Sequence, residues 1–214
     1  MQNFSKRSLT SLTLIIIIYQ ALVNKYVLFF LLLTISYISL LELYNLIKKI
    51  FLKHKFLITI IYFLSIIYLI FFLTQLFFFI NKDYNSKLLF IFLITICIAT
   101  DIGGYTFGKF FKGKKLIKIS PNKTYSGLIG SYLLSFAVFF YFYFQLNFSY
   151  SLLILTFFIS SISQAGDLFF SFLKREAKLK DTGNLLPGHG GILDRIDGII
   201  FAVPIGLNLL FFFK

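Results

Sequence analysis

Seven apolar segments dominate this sequence, and most of them have the length of a membrane-crossing helix. They cover residues 9–23, 26–47, 56–80, 88–111, 127–146, 151–173 and 191–213. A helix needs about 20 mainly apolar residues to cross the hydrocarbon core of a bilayer. Because lipid offers no hydrogen bonds to the backbone, such segments fold as helices. The pattern therefore predicts an all-α polytopic membrane protein with about seven transmembrane helices.

Composition supports the membrane class. Hydrophobic residues make up 58% of the chain and the mean hydropathy is +0.88, whereas soluble domains are about 45–50% apolar. The first segment resembles a signal-peptide core, but no small-residue cleavage site follows it, so we expect a retained span. The third segment is long enough to tilt, or to form two short re-entrant pieces. The single Cys97 lies in an apolar span, which excludes a disulfide within one chain.

The distribution of basic residues predicts how these spans are oriented. With a cytoplasmic N-terminus, 17 of the 21 Lys and Arg residues lie in inside segments and 4 lie in outside segments. Cytoplasmic loops carry such an excess. We therefore expect the C-terminus outside, and the two glycine-containing polar loops near the cytoplasmic face. This arrangement puts both loops on the side of the membrane where nucleotides are.

The net charge of +13 indicates anionic partners. In a membrane protein these are anionic lipid headgroups and nucleotide phosphates rather than nucleic acid. No internal repeat divides the chain, so one membrane domain is the simplest account. Within it, we assign residues 1–80 to N-terminal transmembrane helices and residues 81–214 to a catalytic region.

Five of the eight acidic residues fall within the apolar segments: Glu42, Asp101, Asp167, Asp194 and Asp197. A carboxylate at membrane depth costs at least about 2.5–3.5 kcal/mol, so such groups normally face a bundle interior or a wet cavity. Pairing with a nearby Lys or Arg for packing alone is the simpler alternative. Four aspartates on three spans, all toward the cytoplasmic end, favour a functional site instead.

Helical spacing places these acids on polar stripes, since residues three or four apart share a face. The stripes are Asp194 with Asp197, then Asp167 with Ser171 and Lys174, then Asp101 with Tyr105 and Gly108. If they converge, they form a pocket with carboxylates below and lysines above. Carboxylate oxygens suit Mg²⁺, and Mg²⁺ with Lys or Arg is the usual apparatus of phosphoryl transfer.

A polar run from Ser171 to Asp197 separates the last two spans. In it, Gly188, Gly190 and Gly191 flank His189. Glycines let the backbone approach a ligand, and a helix beginning near Gly191 would offer N–H groups to an anion. His189 is a candidate base or a hydrogen-bond donor to phosphate, and a plain loop residue is the alternative. No nucleophile–His–acid series stands out, so covalent catalysis is disfavoured.

This run resembles the signature of the phosphatidate cytidylyltransferase (CDP-diglyceride synthase) family. The matching residues are Ser171-Phe-Leu-Lys-Arg175, Lys180-Asp-Thr-Gly183 and Leu186-Pro-Gly-His-Gly-Gly-Ile-Leu-Asp-Arg-Ile-Asp197. Three other segments look like further motifs of the family: Gln164-Ala-Gly-Asp-Leu168, Asp101-Ile-Gly-Gly-Tyr-Thr-Phe-Gly-Lys109 and Ile119-Ser-Pro-Asn-Lys-Thr124. Arg7 and Glu42-Leu-Tyr44 also lie in family-like positions.

The resemblance implies that CTP and phosphatidic acid react to give CDP-diacylglycerol and pyrophosphate. It also implies Mg²⁺ and a second cation such as K⁺. Carried over to this sequence, the metal ligands are Asp167 and Asp194, with Asp197 beside them. The catalytic residues are Lys174, Arg175, Lys180, His189 and Arg195, of which the first three would steady phosphates. The nucleotide or lipid-phosphate entrance is lined by Ser120 and Lys123, with Gly190 and Gly191 approaching the ligand.

The chain departs from the family pattern in two places. The family commonly has Lys-Thr-Trp-Glu-Gly in the central loop, whereas this chain has Lys123-Thr-Tyr-Ser-Gly127. Ser126 stands in place of the family's usual acid, and we expect this difference to alter substrate contacts or the rate. The chain is also shorter than many members, which leaves the span count and a homodimer open. Two alternatives remain: another CTP-dependent lipid enzyme, such as a polyprenol kinase or archaeal-lipid cytidylyltransferase, and a cation channel or transporter.

Overall fold

The computed structural model describes residues 13, 16–117, 120–183, 185 and 190–213, without the side chains of residues 117 and 120–122. Residues 16–23 are helical. The elements that follow are α1 (Lys25–Ile50), α2 (Lys55–Ile80), α3 (Tyr84–Phe111), β1 (Lys115–Ile117), β2 (Ser120–Thr124), α4 (Tyr125–Leu146), α5 (Leu152–Glu176), α6 (Leu193–Ile196) and α7 (Ile199–Phe213).

Six helical segments in the described part of the chain are long and apolar enough to cross a membrane. They are α1 to α5 and the stretch Leu193–Phe213, which contains α6 and α7. The all-α polytopic membrane fold is thus confirmed. The first expected span, residues 9–23, lies largely outside the described residues. The third expected span is one helix, α2, rather than two re-entrant pieces.

The last span is broken rather than continuous. A turn at Asp197–Gly198 separates the four-residue helix α6 from α7. Asp194 lies in α6 and Asp197 in the turn, so the expected common helical face for these two acids was wrong. Glycine is required at the turn, because a Cβ on Gly198 would lie 2.5 Å from the Ser163 hydroxyl.

A short antiparallel hairpin replaces the expected loop after α3. Strand β1 pairs with β2, with Lys115 opposite Thr124 and Ile117 opposite Ser120. Thr124 ends β2 and caps α4, since its hydroxyl accepts the Gly127 N–H at 3.1 Å. The hairpin therefore fixes the position of Lys123 at the first turn of α4.

The described residues cluster into two compact units. The first contains residues 1–87 and 173–196, and the second contains residues 88–172 and 197–214. In the first unit α1 packs antiparallel on α2, with Tyr44 against Tyr62 at one end and Phe29 against Phe77 at the other. The boundary at residue 80 between N-terminal and catalytic regions stays a prediction.

In the second unit, small and polar residues let α3, α4 and α5 approach closely. The hydroxyls of Thr100, Ser135 and Ser160 meet in the buried core, 2.9–3.2 Å apart. Gly103 on α3 and Gly130 on α4 leave no space for a methyl group between the two backbones. Close packing through small residues and interhelical hydrogen bonds is how helices associate in membranes.

Gly130→Ala is expected to destabilise this unit. A Cβ there would overlap the Phe107 side chain and lie 2.8 Å from the Gly103 carbonyl oxygen. Overpacking of this kind costs about 1–3 kcal/mol. Thermal unfolding in detergent should show a lower Tm for Gly130→Ala. Gly104→Ala is the matched control, because its Cβ would lie 3.0 Å from the Ser131 hydroxyl and 4.0 Å from the Gly127 carbonyl oxygen, without the overlap found at Gly130. Equal Tm values for the two variants would contradict the packing account.

Candidate active site

The second unit contains an open cavity of about 260 Å³ bounded by α3, the hairpin, α4 and α5. Its lining residues are Thr100, Asp101, Gly104, Tyr105, Leu116, Lys123, Thr124, Gly127, Leu128, Ser131, Gln164, Asp167 and Leu168. Two carboxylates, one ammonium group and one amide thus face the same space. Asp101 and Tyr105 both line it, as their helical spacing predicts.

Lys123 and Asp167 form an ion pair at this cavity. Lys123 Nζ lies 2.5 Å from Asp167 Oδ2, and the side chains are 25% and 33% exposed. Ser171 Oγ donates a long hydrogen bond of 3.4 Å to Asp167 Oδ1, consistent with the predicted stripe on α5. Both charged groups therefore remain partly accessible to solvent.

Ser126, at the position of the family's usual acid, has a structural partner. Its hydroxyl accepts the Gly113 N–H at 3.2 Å and lies 2.9 Å from Thr124 Oγ1. These contacts tie the start of the hairpin to the first turn of α4. Ser126 therefore stabilises Thr124, which lines the cavity. The effect on activity of having serine rather than an acid at this position stays a prediction.

The first unit contains a second set of predicted residues, centred on Asp194. Lys174 Nζ lies 2.7 Å from Asp194 Oδ1 in a largely buried ion pair. Asp194 Oδ2 accepts the backbone N–H groups of Thr182 at 2.8 Å and Gly191 at 3.0 Å. Three described residues of the polar run, Lys174, Thr182 and Gly191, thus meet at this carboxylate, and Lys174 from the end of α5 is its counter-ion.

Glu42 on α1 is the other centre of this unit, and it is only 6% exposed. Its carboxylate accepts the N–H groups of Ile192 at 3.0 Å and Leu193 at 2.9 Å. The Thr182 hydroxyl lies 2.7 Å from Glu42 Oε2 and 3.1 Å from Asp194 Oδ2, so the two carboxylates share its proton. Glu42 therefore caps α6 and connects α1 to the polar run.

Gly190 and Gly191 allow the backbone of the run to approach the two carboxylates closely. Gly190 has φ of +80°, a conformation that favours glycine. A Cβ on Gly191 would overlap the Thr182 hydroxyl and the Glu42 carboxylate. Because the N–H groups of residues 191–193 donate to Asp194 and Glu42, the anions at the start of α6 are the protein's own. A contact of Gly190 and Gly191 with substrate stays a prediction.

The remaining predicted residues fall in several places. Arg175, Lys180 and Arg195 are exposed in the first unit. Asp197 is buried in the second unit, where its Oδ1 accepts the Gly198 N–H at 2.9 Å. Ser120 begins β2, and only its backbone is described; His189 lies outside the described residues.

The three predicted metal ligands are divided between the units, with Asp194 in the first and Asp167 and Asp197 in the second. Within each unit, no three described His, Cys, Asp or Glu side chains are placed to hold a metal ion. The cavity nevertheless fits Mg²⁺, because this ion is commonly held by one or two carboxylates plus substrate phosphates and water. Asp101, Asp167 and Gln164 line the cavity, and they are the residues there whose side-chain oxygens would hold the ion.

The sequence patterns assigned no metal-binding or phosphate-binding role to Glu42, Asp101 or Gln164, although they placed Asp101 on a polar stripe of the expected pocket. For the two acids the signal was present, because a carboxylate within an apolar span is costly unless it has partners. Glu42 is separated from Thr182 by 140 residues, so no local pattern connects them. Gln164 is uncharged and gave no comparable signal.

Comparison with known proteins assigns the chain to a family. The family model described as "Cytidylyltransferase family" matches residues 2–213. The chain therefore belongs to the cytidylyltransferase family, as its motifs predict.

Three bacterial relatives are named phosphatidate cytidylyltransferase. The Bacillus subtilis (strain 168) protein is 41% identical over 138 residues, which cover 63% of this chain and 51% of the relative. The Staphylococcus haemolyticus protein is 42% identical over 135 residues, 61% of this chain and 50% of the relative. The Rickettsia typhi protein is 38% identical over 143 residues, 61% of this chain and 63% of the relative. The matches span about half to less than two thirds of these relatives' own lengths.

Proposed function

We propose that this chain is a phosphatidate cytidylyltransferase, which converts CTP and phosphatidic acid into CDP-diacylglycerol and pyrophosphate. The observation that carries the proposal is the family match over residues 2–213. The names of the relatives supply the lipid substrate. The open cavity with Asp101, Lys123 and Asp167 supports phosphoryl chemistry.

The reaction exchanges one P–O bond for another. A phosphate oxygen of phosphatidic acid attacks the α-phosphorus of CTP and forms the new P–O bond. The bond from the α-phosphorus to the bridging oxygen breaks, and its electron pair leaves with pyrophosphate. Since little covalent work is needed, the protein acts mainly by positioning the reactants and neutralising charge.

Lys123 is the group best placed for this work. It projects from the hairpin at the first turn of α4, and its partner Asp167 is part of the same cavity. On substrate binding, Lys123 would exchange part of this ion pair for a phosphate oxygen. An ammonium group at a transferring phosphate stabilises the charge that develops on it.

The second set of groups, around Asp194, would position the polar run. The Oδ2 atom of Asp194 already accepts two backbone N–H groups. The other carboxylate oxygen, Oδ1, lies beside Lys174 and is the one suited to a further ligand. Lys174, Arg175, Lys180 and Arg195 are the cations proposed to contact phosphates. His189 is kept in the proposal on the resemblance alone.

Mg²⁺ is proposed as the cofactor, with Asp101, Asp167 and Gln164 as the residues that would hold it. When bound, it would supply Lewis-acid neutralisation of the phosphates. We expect a chelator to abolish product formation and added Mg²⁺ to restore it, measured as initial rates in detergent. Full activity in excess chelator would contradict the cofactor assignment. The second cation implied by the resemblance is tested by replacing K⁺ with a bulky organic cation.

The site is proposed to face the cytoplasm, where CTP is available, in the bacterial inner membrane. The 17-to-4 division of basic residues supports this orientation. It predicts that a cysteine introduced at the exposed Lys53, in a Cys97→Ala background, is labelled by an impermeant thiol reagent only after cells are opened.

Labelled CTP tests the proposed reaction most simply. With phosphatidic acid in membranes containing the chain, we expect label from the α-phosphate of CTP to enter the lipid product. Transfer of the γ-phosphate label alone would instead identify a CTP-dependent lipid kinase, and would overturn the proposal.

A further inference from the structure

A second cavity lies in the first unit, between α1 and α2 and beside the short link that joins them. Its volume is about 370 Å³. Its lining residues are Tyr44, Lys48, Leu52, Lys55, Ile58, Thr59 and Tyr62. None of them is among the predicted catalytic or metal-binding residues, so the proposed reaction gives this cavity no role.

The charge of this pocket is entirely positive. Lys48 and Lys55 both line it, and no acidic residue does. Neither lysine has a carboxylate partner in the described part of the chain. Two ammonium groups in one pocket repel each other unless an anion lies between them, so the pocket is suited to an anionic ligand.

Hydroxyl groups complete the polar wall. The rings of Tyr44 and Tyr62 pack edge to face with centroids 5.1 Å apart, which restricts both side chains. No hydrogen-bond partner for either phenol is present among the described residues. Thr59 is different, since its hydroxyl donates to the Lys55 carbonyl at 3.2 Å. Two lysines and two phenols are donors for a phosphate group.

The surroundings of the pocket indicate that the anion belongs to a lipid. Leu52 and Ile58 are part of the lining. Leu52, Phe56 and Leu57 around the link are 69%, 77% and 41% exposed. The pocket also lies near the point where one helix long and apolar enough to cross a membrane ends and the next begins. The ends of such helices are where lipid headgroups are expected. Basic pockets between transmembrane helices on the cytoplasmic side bind anionic lipid headgroups.

We propose that this pocket binds one anionic phospholipid. The headgroup phosphate lies between Lys48 and Lys55 and accepts from the phenols of Tyr44 and Tyr62. The acyl chains lie along the exposed apolar surface of α1 and α2. A free phosphate or nucleotide would leave that apolar surface unused, so the structure assigns the site to a lipid. This inference does not depend on the proposed enzymatic activity.

Native mass spectrometry of the full chain tests the site. The protein is reconstituted with phosphatidylcholine and phosphatidylglycerol in equal amounts, extracted in mild detergent, and its bound lipid is identified. We expect one retained phosphatidylglycerol per chain. In Lys48→Gln/Lys55→Gln, its occupancy should fall about tenfold or more, because each lysine near an anionic lipid contributes appreciably.

The matched control is Lys49→Gln/Lys53→Gln, which removes the same charge from the same region. Neither Lys49 nor Lys53 lines the pocket, so the occupancy should stay within about twofold of the parent. A further variant, Tyr44→Phe/Tyr62→Phe, keeps the rings and removes only the hydroxyls, and should lower occupancy by a few-fold.

Equal loss in both lysine pairs would overturn the proposal, because it would indicate diffuse attraction to a basic surface. Retention of phosphatidylcholine as readily as phosphatidylglycerol would also overturn it. So would displacement of the lipid by millimolar inorganic phosphate, which would identify a site for free phosphate rather than lipid. Loss confined to the lysine pair and the tyrosine pair would support it.

Discussion

Asp167→Asn is expected to lower the rate of CDP-diacylglycerol formation by about 100-fold or more. The amide preserves the shape of the side chain but removes the negative charge that holds Lys123 at 2.5 Å and would hold a cation. Because Asp167 is 33% exposed, the loss of its charge should leave folding nearly unaffected. The measurement is the initial rate of the purified variant in detergent with saturating CTP.

Glu176→Gln is the matched control for this variant. Glu176 ends the same helix, α5, and is exposed, and it does not line the cavity. Its neutral form should keep the rate within about twofold. Near-normal activity of Asp167→Asn, or an equal loss in Glu176→Gln, would refute the role assigned to Asp167.

The second large effect is expected at Glu42. Glu42→Ala removes the acceptor for the N–H groups of Ile192 and Leu193 and for the Thr182 hydroxyl. The Thr182 hydroxyl keeps Asp194 as a partner, but the N–H groups of Ile192 and Leu193 lose their acceptor. Each buried donor left without a partner costs about 1–3 kcal/mol, so the free energy of unfolding should fall by about 2–6 kcal/mol. Thermal unfolding measures the total, and trypsin cleavage after Lys178 or Lys180 should report local opening of the polar run.

Ser39→Ala is the control for this loss. Ser39 lies on the same helix and is fully buried, and its hydroxyl has no hydrogen-bond partner among the described residues. Its removal should be neutral or slightly stabilising, since no hydrogen bond is lost. If Glu42→Ala melts at the same temperature as Ser39→Ala, then Glu42 does not hold the polar run.

The membrane spans could be predicted because each is a local property of the sequence. A run of apolar residues such as 56–80 has one stable fold in lipid, and it forms the single helix α2. The break at Asp197–Gly198 is different. It depends on Gly198 fitting against Ser163 of α5, and a contact of this kind is set by packing rather than by periodicity.

The candidate site could be predicted where its residues belong to one helix, because their spacing is a local property of the sequence. Spacing within one helix placed Asp101 and Tyr105 on one cavity wall. The ion pair between Lys123 and Asp167 was not predictable, because it depends on the hairpin that positions Lys123. The contacts of Glu42 with residues 182, 192 and 193 join positions 140–151 residues apart, and only the fold brings them together.

Asp194 illustrates how a motif residue can have more than one task. The resemblance predicts a metal ligand, whereas the structure gives Asp194 a buried ion pair with Lys174 and two backbone donors. A carboxylate so occupied organises the run whether or not it also meets a cation. Its metal role stays a prediction, and loss of activity in an Asp194 variant would report both tasks together.

The most direct test of the proposed function is the stoichiometry of products from the purified full chain in vesicles. With CTP, Mg²⁺ and phosphatidic acid, the proposal predicts equal amounts of pyrophosphate and CDP-diacylglycerol. Neither product should form when phosphatidic acid is replaced by phosphatidylcholine. Intact CTP with phosphatidic acid present, or release of CDP with a phosphorylated lipid, would contradict it.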